Sequence, residues 1–271
     1  MTHSAEGHGV PSPRTWSRAE LFLAGTLLAL AAAAWLFTNS LAVAMPDMRL
    51  GILTGMRPME PRMQTIPIAL GMFLVTWVVM MAAMMLPGLA PFAVGISRLL
   101  GERTGPGTMS ALTVGYLLVW GVVGVFGYLL VRGFEVLAAD GSATAVRAGS
   151  GVLLMAGAYQ FTPFKRWCLV RCRSPLALVI RYADLIRGSR RGALRVGISH
   201  GGYCLGCCWA LMVVLLAAGA MSLVWMAVTA AVIAVEKVVP RGVVLGSVLG
   251  VLLIGLGVVL LTAPGLVTTM T

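Results

Sequence analysis

Three of the chain's five cysteines stand within five positions of "SHGGYCLGCCWALMVVLLAAG", residues 199–219, among mostly apolar neighbours. Residues three and four apart on a helix share one face. The spacing i, i+4, i+7 and i+8 occurs here in His200, Cys204, Cys207 and Cys208. A lone cysteine is usually a small buried apolar residue, but this stripe of three thiols and an imidazole indicates a binding site for a soft metal ion.

The two remaining cysteines, Cys168 and Cys172, are also four residues apart and lie in a basic loop. Two thiols cannot complete the usual four-ligand shell of zinc, so the pair either completes the shell of the first stripe or is structural. If all five cysteines face the cytoplasm, they are reduced rather than bridged. Reduced thiols grouped with a histidine suit Zn²⁺, Cu(I) or iron–sulfur chemistry.

Two further features are expected at the same depth as the cysteines. The stretch "VVMMAAMMLP" ends with Met84 and Met85 before Pro87, and "AVEKVVP" contains Glu236 and Lys237. Methionine is a common filler of gaps in a core, and its thioether is also a soft ligand. An intramembrane carboxylate such as Glu236 is functional by default, although Lys237 beside it could simply reach the lipid headgroups. We therefore include Met84, Met85 and Glu236 among the candidate ligands.

The elements that must position these residues are membrane helices. The chain has 271 residues, of which 59% are hydrophobic and only 11% are charged, whereas a soluble domain has about a quarter of its residues charged. Apolar runs of roughly 17–25 residues predict membrane spans. Seven are expected, at 20–44, 66–86, 109–131, 146–162, 195–218, 220–236 and 242–263. Because open backbone is not tolerated in lipid, the fold class is an all-α polytopic bundle.

The basic residues orient this seven-span bundle. Fifteen of the twenty lysines and arginines fall on the side of the N-terminus and of the second, fourth and sixth loops, and five fall on the other side. The positive-inside rule then places the N-terminus in the cytoplasm and the C-terminus outside, in a bacterial inner membrane. Six spans, with a cytoplasmic C-terminus, is the second-ranked alternative.

Much of the net charge of +11 lies in the stretch from residue 165 to residue 195. Apolar residues alternate with the charges there, which predicts a basic amphipathic loop helix on anionic lipid headgroups of the cytoplasmic leaflet. No motif that reads nucleic-acid grooves accompanies the charge, so nucleic acid is not an expected partner.

The predicted organisation is a disordered polar N-terminus at 1–18, a single transmembrane helical domain at 19–264 and a short tail at 265–271. The first apolar run is longer than the core of a usual signal peptide, so we expect a retained span rather than a cleaved leader. A G-x-x-x-G-x-x-x-G stripe in the last span indicates close helix packing, either within the chain or in a homo-oligomer.

Four blocks resemble those of an uncharacterised bacterial family of predicted metal-binding integral membrane proteins. They are "AAMMLPGLAPF" at 82–92, "GAYQFTPFKRWCLVRCRSP" at 157–175, "GGYCLGCCWALM" at 201–212 and "VEK" at 235–237. The resemblance covers roughly residues 65–240 and implies a membrane location and metal binding, but no reaction. The motif positions that match include Tyr159, Gln160, Lys165, Pro175 and Trp209, besides the cysteines, Met84, Met85, Pro87, Glu236 and Lys237.

Three functions fit this pattern. The first is handling of a transition metal, by carriage, sensing or delivery, with Cu(I) favoured over Zn(II) and with a soluble metal donor or acceptor as a potential partner. The second is a membrane thiol–disulfide oxidoreductase that uses the C-x-x-C of Cys204 and Cys207. The third is an assembly factor stabilised by structural zinc. No catalytic residue set and no nucleotide-binding motif is recognised, so metal binding is favoured over an enzymatic role.

Overall fold

The computed structural model describes residues 17–44, 66–100, 105–139, 142–173, 189–219 and 222–262. Every regular element in these ranges is an α-helix, which confirms the predicted all-α class. The helices are α1 Arg18–Ala44, α2 Ile66–Leu100, α3 Pro106–Ala139, α4 Ser142–Gln160, α5 Pro163–Arg173, α6 Arg190–Gly219, α7 Leu223–Val238 and α8 Gly242–Thr262.

Five of these helices are long and apolar enough to cross a membrane, which is two fewer than predicted. They contain the segments Arg18–Leu41, Leu70–Arg98, Pro106–Gly133, Arg190–Ala218 and Gly242–Thr262, in α1, α2, α3, α6 and α8. The 16 residues of α7 measure roughly 24 Å, less than the roughly 30 Å of a bilayer's hydrocarbon core. The 19 residues of α4 include serines, a threonine and Arg147, which lower its hydropathy.

Helix α2 differs from the predicted second span, which ended before Pro87. It continues through Pro87 and Pro91 to Leu100. Membrane helices tolerate proline because neighbouring groups satisfy the freed backbone. The methionine cluster therefore lies in the middle of a 35-residue helix rather than at the end of a span.

Helices α3 and α6 cross at very short distance and run parallel. A Cβ atom at Gly115 would clash with the carbonyl oxygen of Leu194, and one at Gly197 would clash with that of Leu112. Glycine at these positions lets the two backbones touch, as small residues do in membrane helix pairs. Near the start of α3, a Cβ atom at Gly107 would lie 2.8 Å from the Nε of Arg190, the first residue of α6.

The glycine stripe of α8 packs inside the chain. A Cβ atom at Gly242 would clash with the carbonyl oxygen of Glu236, and one at Gly246 would lie 3.2 Å from its Oε1. At Gly250 the same atom would lie 2.7 Å from the Phe161 ring. These contacts explain the stripe without a second copy of the chain.

The beginning of α1 meets the end of α2. Ser17 and Glu20 form a capping box, in which each backbone N–H is bonded by the other's side chain. Arg98 forms an ion pair of 3.1 Å with Glu20. Since α1 begins where α2 ends, the two helices are antiparallel.

Several predicted features fall wholly or partly outside the described residues. These are the polar N-terminus, the C-terminal tail and residues 174–188 of the basic loop. The described beginning of that loop is α5, and it is not simply a surface helix. Lys165, Cys168 and Leu169 are buried, so one face of α5 packs into the bundle instead of resting on lipid.

Candidate metal centre

Three thiol groups, one on α5 and two on α6, lie close together. The Sγ atoms of Cys172, Cys204 and Cys207 all lie within 4.8 Å of one another. Sulfur ligands bind a metal at about 2.3 Å, which places the sulfurs of a trigonal site about 4.0 Å apart. The three sulfurs therefore need to move by less than an ångström or so to share one ion.

All three sulfurs of the trio are buried, but Cys172 as a whole residue is less buried than the other two. Cys204 and Cys207 are buried on the long helix α6, whereas Cys172 is partly exposed near the end of α5. Two of the sulfurs thus stand on the long helix α6, and the third is brought to them by a short helix. Sequence spacing placed Cys204 and Cys207 on one face, but it did not show which of Cys168 and Cys172 would join them.

Cys208 shares the α6 stripe but is not a member of this sulfur trio. Its thiol donates a hydrogen bond of 3.0 Å to the carbonyl oxygen of Cys204, four residues earlier. The thiol of Cys207 makes the same kind of bond, also of 3.0 Å, to the same carbonyl. The Cys207 thiol must release this bond and its proton before its sulfur can bind a metal.

Cys168 packs beside the trio without joining it. It is 2% exposed, and its Sγ would lie 2.5 Å from a Cβ atom added at Gly206 of α6. Burial raises the pKa of the Cys168 thiol, although Arg171 acts in the opposite direction. Hydrogen bonding to Cys204 and Cys207, together with burial, raises the pKa of Cys172. Both thiols of α5 are therefore protonated at neutral pH before any metal binds.

A methionine from α2 reaches the trio. The Sδ of Met85 lies 4.0 Å from the Sγ of Cys204, and Met85 is almost fully buried. Met84 is buried in the same apolar core cluster. Among the described contacts, the thioether that reaches the trio is that of Met85.

The sulfur of Cys204 also contacts two side chains from other helices. The ammonium group of Lys237 lies 3.1 Å from its Sγ, and the hydroxyl of Tyr116 lies 3.0 Å from it. Lys237 supplies positive charge next to a site that gathers thiolates. Tyr116 on α3 was not identified from the sequence, because no spacing on its own helix relates it to the cysteines.

Glu236 does not face the sulfur trio. Its Oε1 and Oε2 accept hydrogen bonds of 2.8 and 2.9 Å from the ammonium group of Lys165 on α5. Lys165 also donates to the side-chain oxygen of Gln160. Gln160 and Lys165 both belong to the stretch 157–175, which resembles the metal-binding family. Their place in this buried polar cluster gives both residues a structural role.

His200 lies one turn before Cys204 and outside the trio. Its ring stacks on Phe92, with centroids 4.0 Å apart and planes 3° from parallel. Its Nδ1 has no hydrogen-bond partner among the described residues, and the side chain is buried. In this position the imidazole forms part of the wall between α2 and α6.

The candidate donor atoms are soft sulfurs. Three thiols and one thioether suit Cu(I), while zinc prefers four ligands drawn from cysteine, histidine and carboxylate. No histidine nitrogen and no carboxylate oxygen joins the three thiols within the described residues. The arrangement can bind a soft ion among three buried sulfurs.

Comparison with known proteins agrees with this chemistry. Neither the curated proteins nor the solved structures gave a match to the chain. One protein family does match, over residues 74–260, which is well over half of the chain and includes α3 to α7 entire. That match shows that the chain belongs to the PpoB2 family of copper chaperones.

Proposed function

We propose that the protein is a membrane-embedded copper chaperone that binds one Cu(I) ion through the thiolates of Cys172, Cys204 and Cys207. The single observation that carries the proposal is the convergence of these three sulfurs within 4.8 Å. Membership of a copper chaperone family supports the identity of the metal. Copper is here the cargo that the protein holds and hands on.

Copper is favoured over zinc by the surroundings of the trio as well as by its members. Cu(I) is stable with two or three soft ligands, and a thioether at 4.0 Å adds a further soft donor. Three thiolates and one monovalent ion carry a net charge of −2, and Lys237 beside Cys204 offsets part of it. A zinc site would need a fourth ligand, such as His200, to turn toward the trio.

We place the first step of release at Cys172, because it is the residue of the trio that is partly exposed, although its sulfur is buried with the other two. A thiolate of an acceptor protein binds the ion while the bond to Cys172 breaks, and Cys172 takes up a proton. Copper remains Cu(I) throughout, so no oxidant or reductant is needed. Cys204 and Cys207 are buried and lose the ion last, which gives the transfer a direction from the core toward the surface.

The direction of the helices supports the seven-pass topology. Helices α3 and α6 begin at the same end of the bundle, so the chain must return between Ala139 and Arg190, and α4 is the helix that returns it. In the same way α7 carries the chain back before α8. We propose a single transmembrane domain over 19–264, with the sulfur trio and the basic helix ends on the cytoplasmic side.

The exposed face of α5 supports its position at the lipid boundary. Phe164, Trp167 and Val170 are about half exposed, and the guanidinium of Arg171 lies 3.7 Å from the centre of the Trp167 ring. Aromatic rings and arginines are typical of the interface between lipid and water. Anionic headgroups are then the lipid partner of the adjoining basic loop.

Single cysteine substitutions test the trio, because each helix offers a control. We expect Cys172→Ser, Cys204→Ser and Cys207→Ser each to lower the affinity for Cu(I) by at least about 100-fold, since each removes a bond to the ion. Cys168→Ser on α5 and Cys208→Ser on α6 should change it by less than about threefold. The measurement is competition against a chromophoric Cu(I) chelator with protein purified in detergent under reducing conditions.

Two outcomes would contradict the proposal. If wild-type protein does not bind stoichiometric Cu(I) but binds Zn²⁺ tightly, the site is a structural zinc centre. If it binds neither ion and the cysteines of the C-x-x-C cycle with a redox buffer, the protein is a thiol oxidoreductase.

A further inference from the structure

The third ligand stands on a helix of only 11 residues, which has little rigidity of its own. Short isolated helices are marginal in water and depend on tertiary contacts for their position. Something in the bundle must therefore fix the rotation and height of α5, because a shift of about one ångström at Cys172 would open the trio. The contacts that fix α5 are found on its buried face.

Lys165 is the main contact of that face. It is 2% exposed, and its ammonium group contacts both carboxylate oxygens of Glu236, which is 1% exposed. Gln160 accepts a further hydrogen bond from the same ammonium group. A Cβ atom at Gly246 would lie 3.5 Å from Nζ of Lys165, so α8 closes the cluster and leaves little room for another arrangement.

The geometry connects this ion pair to the metal site at both of its ends. Lys165 lies two helical turns before Cys172 on α5, and Glu236 immediately precedes Lys237, which contacts Cys204. One buried pair thus sets the position of α5 against α7, and α7 is in turn tied to the trio. A buried pair tolerates little change in geometry, because a separated charge would be left without solvation.

We infer that Lys165 and Glu236 are positioning residues for copper coordination: their buried ion pair holds α5 so that Cys172 becomes the third ligand. Without the pair the protein would bind Cu(I) through Cys204 and Cys207 alone. The inference rests on the proposed function, since it concerns how many sulfurs the same site gives to the ion. It assigns Glu236 to the support of the site rather than to the ligand shell.

The number of sulfurs around the ion tests this inference. Counting only sulfurs at the thiolate bond length of about 2.3 Å, and not the thioether of Met85, X-ray absorption should give three for the Cu(I)-loaded wild type and two for Cys172→Ser. We expect two sulfurs in Glu236→Gln and in the double variant Lys165→Met/Glu236→Gln, with the Cu(I) affinity lowered about as much as in Cys172→Ser. The charge exchange Lys165→Glu/Glu236→Lys should restore the third sulfur, because it rebuilds the pair.

The control and the contrary outcomes are distinct from those of the function itself. Glu20→Gln breaks a separate ion pair, at the start of α1, and should leave three sulfurs. Glu236→Gln leaves a buried charge unpaired and can fail to fold, in which case the double variant decides. Three sulfurs and full affinity in the double variant would overturn the inference. A wild type that binds no Cu(I) would instead overturn the proposed function.

Discussion

At the scale of single residues, Cys204 is the centre of the site. Its sulfur contacts a thioether, an ammonium group and a phenol, besides belonging to the trio. The i, i+4, i+7 spacing of α6 predicted that Cys204 and Cys207 share a face. The same spacing cannot give the rotation of that face toward other helices, so Tyr116 was missed, and Lys165 was noted only through the resemblance. His200, predicted as a ligand, stacks on Phe92 outside the trio.

Met85 and Met84 offer a matched test of the thioether. Methionine and leucine have similar volumes, and such swaps usually cost less than about 1.5 kcal/mol of folding free energy. We expect Met85→Leu to lower the affinity for Cu(I) by about 10-fold, because it removes the sulfur 4.0 Å from Cys204. Met84→Leu should leave it unchanged, and Zn²⁺ affinity should barely move in either variant. Competition titrations of both ions would show it; equal effects of the two swaps on Cu(I) would mean that Met85 is only packing.

At the scale of elements, α5 packs on α6 where α6 has no side chain. Gly206 leaves space for Cys168, so that α5 can lie close enough for Cys172 to reach the trio. The charge pattern of the sequence predicted a basic helix here. It did not predict that one face of this helix, with Lys165, Cys168 and Leu169, is buried. Lys165 looked like one of nine basic residues of a loop, because the carboxylate that pairs with it lies 71 positions away.

Two glycines one turn apart on α6 test this packing. A methyl group at Gly206 would meet the Cys168 sulfur at 2.5 Å, whereas one at Gly202 would meet nothing within 4 Å. We expect Gly206→Ala to displace α5 and lower Cu(I) affinity about 10- to 100-fold, and Gly202→Ala to have no effect. Both variants should accumulate in membranes, because α6 gains helix propensity from alanine. Restoration of affinity in Gly206→Ala/Cys168→Ala, which removes the clashing sulfur, would confirm the mechanism; unchanged affinity in Gly206→Ala alone would refute it.

At the scale of the whole molecule, composition predicted the all-α bundle and hydropathy located its longest helices. It also predicted spans at α4, which contains serines, a threonine and Arg147, and at α7, which has only 16 residues. Their direction is nonetheless fixed by their neighbours. Helices α3 and α6 run parallel, and parallel neighbours require a returning segment between them.

The topology can be decided by one reporter position. With five spans or with seven, the C-terminus lies on the opposite side from the N-terminus, so a fusion after Thr271 does not separate the two. The segment between α5 and α6 does: it is cytoplasmic if α4 crosses the membrane and outside if α4 does not. We expect a reporter inserted near residue 185 to remain cytoplasmic, together with one at the N-terminus, and a fusion after Thr271 to be exported. An exported reporter near residue 185, with the N-terminus in the cytoplasm, would contradict the parallel packing of α3 and α6 and the seven-pass topology proposed from it.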